Sequence, residues 1–364
     1  MKIDIIAGTR PNFIKIAPIV ESIERSLIIS EKLFKYRIIH TGQHYDRNMS
    51  ESFFKQLNIP TPEFNLNVGS GTQAKQTAKI MSGYENVLKE KGLPDLCIVV
   101  GDVNSTLACS IVAKRMGIKV AHVEGGLRSG DLTMPEEINR IATDSISDYF
   151  FTTSENANLN LINCSIPLDR IFFVGNTMID SLFKFRKNFK KPKVWEGLNL
   201  KKKNYILLTL HRPTNVDEKR TLKELISEII FHSREIPIVF PAHPRTQKML
   251  DLNSFKNSNL FIIEPLSYLE FNYLVERCKG VITDSGGVSE ETTVMNIPCM
   301  TIRDNTERPE TIEMGTNVLL GTSPKAIKPA MGKLFSNKWK NAKTPPLWDG
   351  RSSERIVKEL IKFE

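Results

Sequence analysis

The sequence has no apolar run long enough to cross a bilayer. Its longest are short segments such as Ile98-Val99-Val100, against the roughly 20 residues a spanning helix needs. No membrane contact is expected. It also lacks low-complexity tracts and internal repeats, which sets aside disordered and solenoid classes. The five cysteines, Cys97, Cys109, Cys164, Cys278 and Cys299, are odd in number, widely spaced and without any metal-ligand spacing. Each is therefore expected to be a buried, reduced thiol, and no metal is expected. The segment from Met1 to Gly8 lacks the longer apolar stretch and the small-residue cleavage site of a leader. It reads as the first strand of a fold, so the chain is expected in the cytoplasm. No tract interleaves aromatic with basic residues. The net charge of +9 comes from Lys and Arg spread along the chain, which points to an anionic small substrate and a basic surface rather than to nucleic acid.

What remains is a chain of 364 residues, 40% hydrophobic and 25% charged, the size of two ordinary α/β domains. Short β-branched or aromatic runs alternate with longer amphipathic segments, the pattern of parallel strands joined by crossover helices. In the first half the expected strands are Ile3–Ala7, Tyr36–His40, Leu96–Val100, Lys119–Val123, Tyr149–Thr152 and Arg170–Val174. In the second they are Tyr205–Leu210, Ile236–Phe240, Leu260–Ile263, Gly280–Thr283, Pro298–Ile302 and Asn317–Leu320. Two doubly wound, Rossmann-like α/β domains follow, at 1–180 and 181–347, because composition turns to Lys, Pro and Asn from Phe185 to Asn204. A final helix is expected in 348–364, with Ser352 or Ser353 as its cap.

Ligands of such folds bind beyond the carboxyl ends of the strands, so polar turns at those ends carry the most weight. The first strand runs into Gly8-Thr9-Arg10-Pro11, where Arg10 and Lys15 put two cations beside a helix N-terminus, a phosphate site. Asp102 follows the strand Leu96–Val100 before a helix capped by Asn104 or Ser105, and Glu124 follows the strand Lys119–Val123. Glu136 opens a helix that starts at Pro135. Three acids at strand ends and helix starts read as general acid and base groups converging on one cleft. In the second half, His211 and His243 fall in strand-end turns beside Arg212 and Arg245. The segment from Asp284 through Ser285, Gly286 and Gly287 to Glu291 is a second diphosphate cradle, with Glu291 able to accept ribose hydroxyls. Arg308 lies near the same edge.

The ordered set GTRPNFIK, GDVNST, HVEGGLRSGD, PEEINR, VGNTMID, HRPTN, DSGGVSEE and RDNTERPE resembles the UDP-N-acetylglucosamine 2-epimerase family over nearly the whole chain. The resemblance implies a glycosyltransferase-B type fold with the two domains facing a cleft, a homodimer, and a last helix packed across the first domain. It implies that Asp102, Glu124, Glu136 and His211 are catalytic, and that Arg10, Lys15, Phe271, Ser285, Gly286, Gly287, Glu291 and Arg308 hold UDP. Gln43, Arg212 and His243 match parts of an activator site for a second UDP-sugar. The stretch after the second strand reads Gln43-His44-Tyr45-Asp46-Arg47-Asn48-Met49, where many non-hydrolysing members carry Gln-His-Arg-x-Met. Activation is therefore expected to be weak or absent. Members acting on UDP-2,3-diacetamido-2,3-dideoxyglucuronate look similar here, which makes that sugar the alternative substrate. The reaction implied is inversion at carbon 2 by elimination and re-addition of UDP, with no cofactor.

Overall fold

Residues that favour a pleated, buried surface form the strands. Leu96–Val100, the fourth of them, is buried at every position, as a strand covered by helices on both faces must be. The computed structural model describes residues 1–29, 34–42, 54, 56–250 and 252–363. The expected Gln43 contact and the altered segment after it lie outside the described residues.

Contacts divide the chain into two units, Met1–Ser181 with Pro346–Glu364, and Leu182–Pro345. Unit 1 runs β1 (Lys2–Ala7), α1 (Arg10–Ile29), β2 (Lys35–His40), β3 (Phe64–Asn65), α2 (Gln73–Lys91), β4 (Leu96–Val100), α3 (Asn104–Arg115), β5 (Lys119–Val123), α4 (Pro135–Ile146), β6 (Tyr149–Thr152), α5 (Glu155–Asn163) and β7 (Ile171–Phe173). Helix α6 (Thr177–Phe185) crosses into unit 2. Unit 2 continues with β8 (Ile206–Thr209), α7 (Lys219–His232), β9 (Ile238–Pro241), β10 (Leu260–Ile263), α8 (Tyr268–Arg277), β11 (Gly280–Thr283), α9 (Gly286–Met295), β12 (Cys299–Thr301), α10 (Pro309–Glu313), β13 (Asn317–Leu319) and α11 (Ile327–Phe335). The chain then returns to unit 1 with α12 (Ser352–Ile361).

Both sheets are parallel, in the orders β3-β2-β1-β4-β5-β6-β7 and β10-β9-β8-β11-β12-β13. Each is doubly wound, and its connections diverge between β1 and β4 in unit 1 and between β8 and β11 in unit 2. Those two points open crevices at the carboxyl edge of each sheet. Among the described residues no helix is long and apolar enough to cross a membrane.

The last helix is fixed to unit 1 by chemistry at its start. Asp180 accepts the backbone N–H groups of Ser352 and Ser353 at 3.0 and 2.7 Å. The expected cap by Ser352 or Ser353 is thus corrected: those residues open the helix, and a carboxylate distant in sequence satisfies their N–H groups. Trp348, buried just before α12, donates its indole N–H to the Thr153 carbonyl at 2.9 Å.

Three further expectations change. Helix α3 has no side-chain cap, and Asn104, its first residue, donates instead to Gln76 at 2.8 Å. Cys164 is exposed whereas the other four cysteines are buried and reduced, because it sits past the end of α5, where no layer covers it. The two-residue strand β3 was not expected, being too short to show a period of two.

Candidate active site

In unit 1 the turns after β1, β4 and β5 meet at the crevice. Asn12 ties two of them together: its amide donates to the Val100 carbonyl at 2.8 Å, and its side-chain oxygen accepts the Thr9 N–H at 2.9 Å. Arg10 opens α1, and Lys15 lies farther along it. The Lys15 ammonium sits 2.7 Å from Oε2 of Glu124, with the two side chains 11% and 2% exposed. Glu124 adopts a left-handed backbone at φ 69°, a conformation that costs a non-glycine residue about 1–2 kcal/mol. Such strain is kept where the surroundings over-determine it, commonly at working sites. A Cβ placed on Gly101 would lie 3.5 Å from Lys15 Nζ and 3.7 Å from Glu124 Oε2, so the ion pair rests against the turn that carries Asp102.

Asp102 has its own cation. Arg140 on α4, almost wholly buried, donates to its carboxylate at 2.5 Å. Arg140 is oriented in turn by Glu137, whose carboxylate also accepts the Ser129 and Gly130 N–H groups at 3.0 Å each. Burial by itself would raise the Glu137 pKa, but those two N–H groups and the guanidinium hold it below the ordinary carboxylate value. Asn139 donates to the Asp102 carbonyl at 2.8 Å. Glu136, next to Glu137, is partly exposed and has no hydrogen-bond or ionic partner among the described residues. Of the two adjacent acids, Glu137 is held by its neighbours and Glu136 is not.

In unit 2 the crevice between β8 and β11 brings His211 and Asp284 together. His211 Nδ1 lies 2.8 Å from Oδ1 of the fully buried Asp284, while the imidazole itself is 56% exposed. The same carboxylate accepts the Arg212 N–H at 2.9 Å and the Asn215 amide at 3.0 Å. Burial favours the neutral acid, yet the contacts with His211, Asn215 and Arg212 hold the Asp284 pKa below its ordinary value. A carboxylate on one ring nitrogen orients the imidazole and leaves Nε2 to face a ligand. Arg212 also donates from Nε to the Asp284 carbonyl at 3.1 Å. His243 stands exposed after β9.

Ser285 precedes α9, which opens on Gly286 and Gly287, and the Ser285 hydroxyl does not cap its own helix. A Cβ on Gly286 would come 2.7 Å from Oε1 of Glu307, which would have to shift aside. Glu291 is buried beneath this turn and accepts the Asn272 amide from α8 at 3.2 Å. Burial pushes its pKa up to about 7, against the pull of Tyr268 and Asn272. Phe271, beside Asn272, is partly buried on α8. Arg308 is buried and ion-paired through Nε with Glu290. Among the described residues, no group of three or more His, Cys, Asp or Glu side chains is placed to hold a metal ion.

The family model described as UDP-N-acetylglucosamine 2-epimerase matches residues 28–361. The chain belongs to the UDP-N-acetylglucosamine 2-epimerase family. It is 45% identical, over 99% of both chains, to the UDP-N-acetylglucosamine 2-epimerase of Methanocaldococcus jannaschii. It is 38% identical, over the full length of both, to the UDP-2,3-diacetamido-2,3-dideoxy-D-glucuronate 2-epimerase of Pseudomonas aeruginosa. Its fold matches the crystal structure of the M. jannaschii enzyme in complex with UDP-GlcNAc and UDP, with a TM-score of 0.88, 44% identity and complete coverage of both chains. A Neisseria meningitidis UDP-GlcNAc 2-epimerase bound to UDP-GlcNAc also gives 0.88, at 30% identity and complete coverage. The chain therefore has the glycosyltransferase-B type fold of these isomerases.

Within this epimerase framework, sequence reasoning missed Asp284, Arg140 and Glu137. Each stands inside a motif whose neighbour drew attention instead. The signal for Asp284 was its place at the end of β11, opposite a histidine at the end of β8. For Arg140 and Glu137 it was an arginine three positions after an acid, one helical turn away on the same face.

Proposed function

We propose that this epimerase interconverts UDP-N-acetylglucosamine and UDP-N-acetylmannosamine by eliminating UDP from the sugar and adding it back. Carbon 2 has no adjacent carbonyl, so its proton is removed only as the C1–O bond breaks. The electron pair of that bond goes to the UDP phosphate oxygen, and a glycal forms. A second acid then delivers a proton to the opposite face of carbon 2, and the UDP oxygen re-forms its bond to carbon 1. Asp102, Glu124 and Glu136 serve proton transfer, with Lys15 holding Glu124. His211, Arg10, Ser285, the Gly286-Gly287 turn and Arg308 stabilise the diphosphate. Glu291 takes the ribose hydroxyls, and the backbone at Phe271 takes uracil.

One observation carries this reading: two acids on neighbouring turns, Asp102 and Glu124, each have a separate cationic partner, at 2.5 and 2.7 Å. That arrangement keeps two proton-transfer groups in place without pairing them to each other. The full-length similarity to the M. jannaschii enzyme supports N-acetylglucosamine as the sugar. The similarity to the P. aeruginosa enzyme keeps the diacetamido uronate as the second substrate to try. Incubation with each UDP-sugar, followed by proton and phosphorus NMR, tests the assignment. The expected product is UDP-N-acetylmannosamine; free sugar accumulating with UDP would identify a hydrolysing enzyme.

The product keeps its activating UDP, which suits it to supply surface polysaccharide synthesis in the cytoplasm. The stretch after Gln43 departs from Gln-His-Arg-x-Met, which supports weak or absent activation by a second UDP-sugar. The partner is a second copy of the chain. Ile138 and Ile141 on one face of α4 and Leu159 and Ile162 on one face of α5 are 52%, 40%, 54% and 41% exposed, an apolar surface suited to a covered interface. Light scattering should give twice the chain mass, and Ile138→Asp with Leu159→Asp should give one chain mass.

A further inference from the structure

The imidazole of His122 is fully buried at the end of β5, two residues before Glu124. Its Nε2 lies 2.8 Å from the carbonyl oxygen of Gly101, the residue before Asp102. A carbonyl only accepts, so Nε2 carries a proton. Nδ1 lies 2.7 Å from Oδ1 of Asp144 on α4. The other oxygen of Asp144 accepts the N–H of Gly126, two residues after Glu124, at 3.0 Å, and the Arg128 guanidinium at 2.6 Å. One ring therefore grips the Asp102 turn on one side, and on the other reaches the Glu124 turn through a carboxylate.

The backbone on the Glu124 side needs such a hold. Glu124 is left-handed, and Gly126, at φ 83°, packs so closely that a Cβ would come 2.3 Å from the Ala157 carbonyl. A Cβ on Gly125 would meet Phe150 at 3.0 Å and Asp144 Oδ1 at 3.3 Å. The turn has no slack on its inner side, and its outer side carries the reacting carboxylate.

We propose that His122 and Asp144 are positioning residues that clamp the Asp102 and Glu124 turns at a fixed separation, so that two proton-transfer groups address opposite faces of one carbon. The proposal rests on the epimerase reading for its consequence and on geometry alone for the clamp. His122 does not reach the substrate, because both its nitrogens are used internally.

Two near-isosteric variants divide the clamp. His122→Gln keeps an amide donor at the Nε2 position and loses the donor to Asp144, whereas His122→Asn keeps the donor to Asp144 and loses the one to Gly101. Both should leave the Kd for UDP within about twofold and KM within about threefold while kcat falls by about 10- to 100-fold, as a displacement of about 1 Å at a reacting group does. Amide exchange should rise at Asp102 and its neighbours in His122→Asn, and at Gly126 and its neighbours in His122→Gln. If His122→Gln fails to fold, Asp144→Asn, which preserves shape and removes the charge, reads the Glu124 side through the same kcat, KM and Gly126 exchange. Unchanged exchange at both turns overturns the clamp. Raised exchange with kcat within about twofold of the native enzyme overturns its role in positioning. Absence of epimerisation by the native chain refutes the proposed function alone, and exchange then still decides the clamp.

Discussion

Lys15 and Glu124, 109 residues apart in sequence, form an ion pair of 2.7 Å that is nearly closed to solvent. An exposed pair of this kind would contribute little. Here the balance differs, because removing one partner strands a charge in the crevice. Lys15→Met is expected to destabilise the protein by about 3–5 kcal/mol. Adding Glu124→Gln should recover most of that loss. Urea unfolding of the two single variants and the double variant measures the coupling directly, and additive effects would show that the pair is not a unit.

Asp284 orients His211 and is held below the ordinary carboxylate value of 3.8. A depressed acid contributes stability that is complete above its unfolded pKa and lost as pH falls through the folded one. Asp284→Asn should therefore cost stability at neutral pH and flatten the acid limb below about pH 4. Turnover should drop by roughly 100-fold or more if His211 acts as an acid or base. Thermal melts across pH, with kcat measured alongside, separate the two effects.

Much of this fold is written in the sequence. Strands β4, β5, β6, β10 and β11 begin and end where they were expected, because β-branched and aromatic residues cluster there between turn signals. The turns that carry Asp102, Glu124, His211 and Ser285 follow from those strand ends. What stayed hidden was pairing at long range. Nothing local announces that Asp180 caps α12, or that Arg140 reaches Asp102. Those choices depend on which helix lies over which strand end. The exposure of Cys164 was hidden for the same reason, since an apolar pattern does not say where a layer stops.

Glu310 is buried on α10, neither carboxyl oxygen meets a donor on another described residue, and burial pushes its pKa from 4.5 up to about 7 despite the nearby Arg308. With a raised acid the unfolded chain ionises first, so stability declines from about pH 4.5 to 7 and is level above that. Glu310→Gln should leave stability near pH 4.5 unchanged and raise it at pH 8 by up to about 3 kcal/mol, at 1.36 kcal/mol per pKa unit. Denaturant titrations at the two pH values check this, and equal effects at both would contradict it.

Glu291 has the same cause behind its pKa of about 7, and under the proposed function the ribose of UDP changes it. Ribose hydroxyls donate to a carboxylate, so UDP binding near pH 6 should release up to about one proton. Calorimetry in two buffers of different ionisation enthalpy reads that release, which should vanish in Glu291→Gln.

Incubation with UDP-N-acetylglucosamine in deuterium oxide tests the central claim most directly. Elimination and return through carboxylates that exchange with solvent place deuterium at carbon 2 of the epimerised sugar, with UDP still bonded at carbon 1 in nearly all molecules. Epimerised product carrying only the original hydrogen at carbon 2, or free sugar appearing in step with UDP, would contradict it.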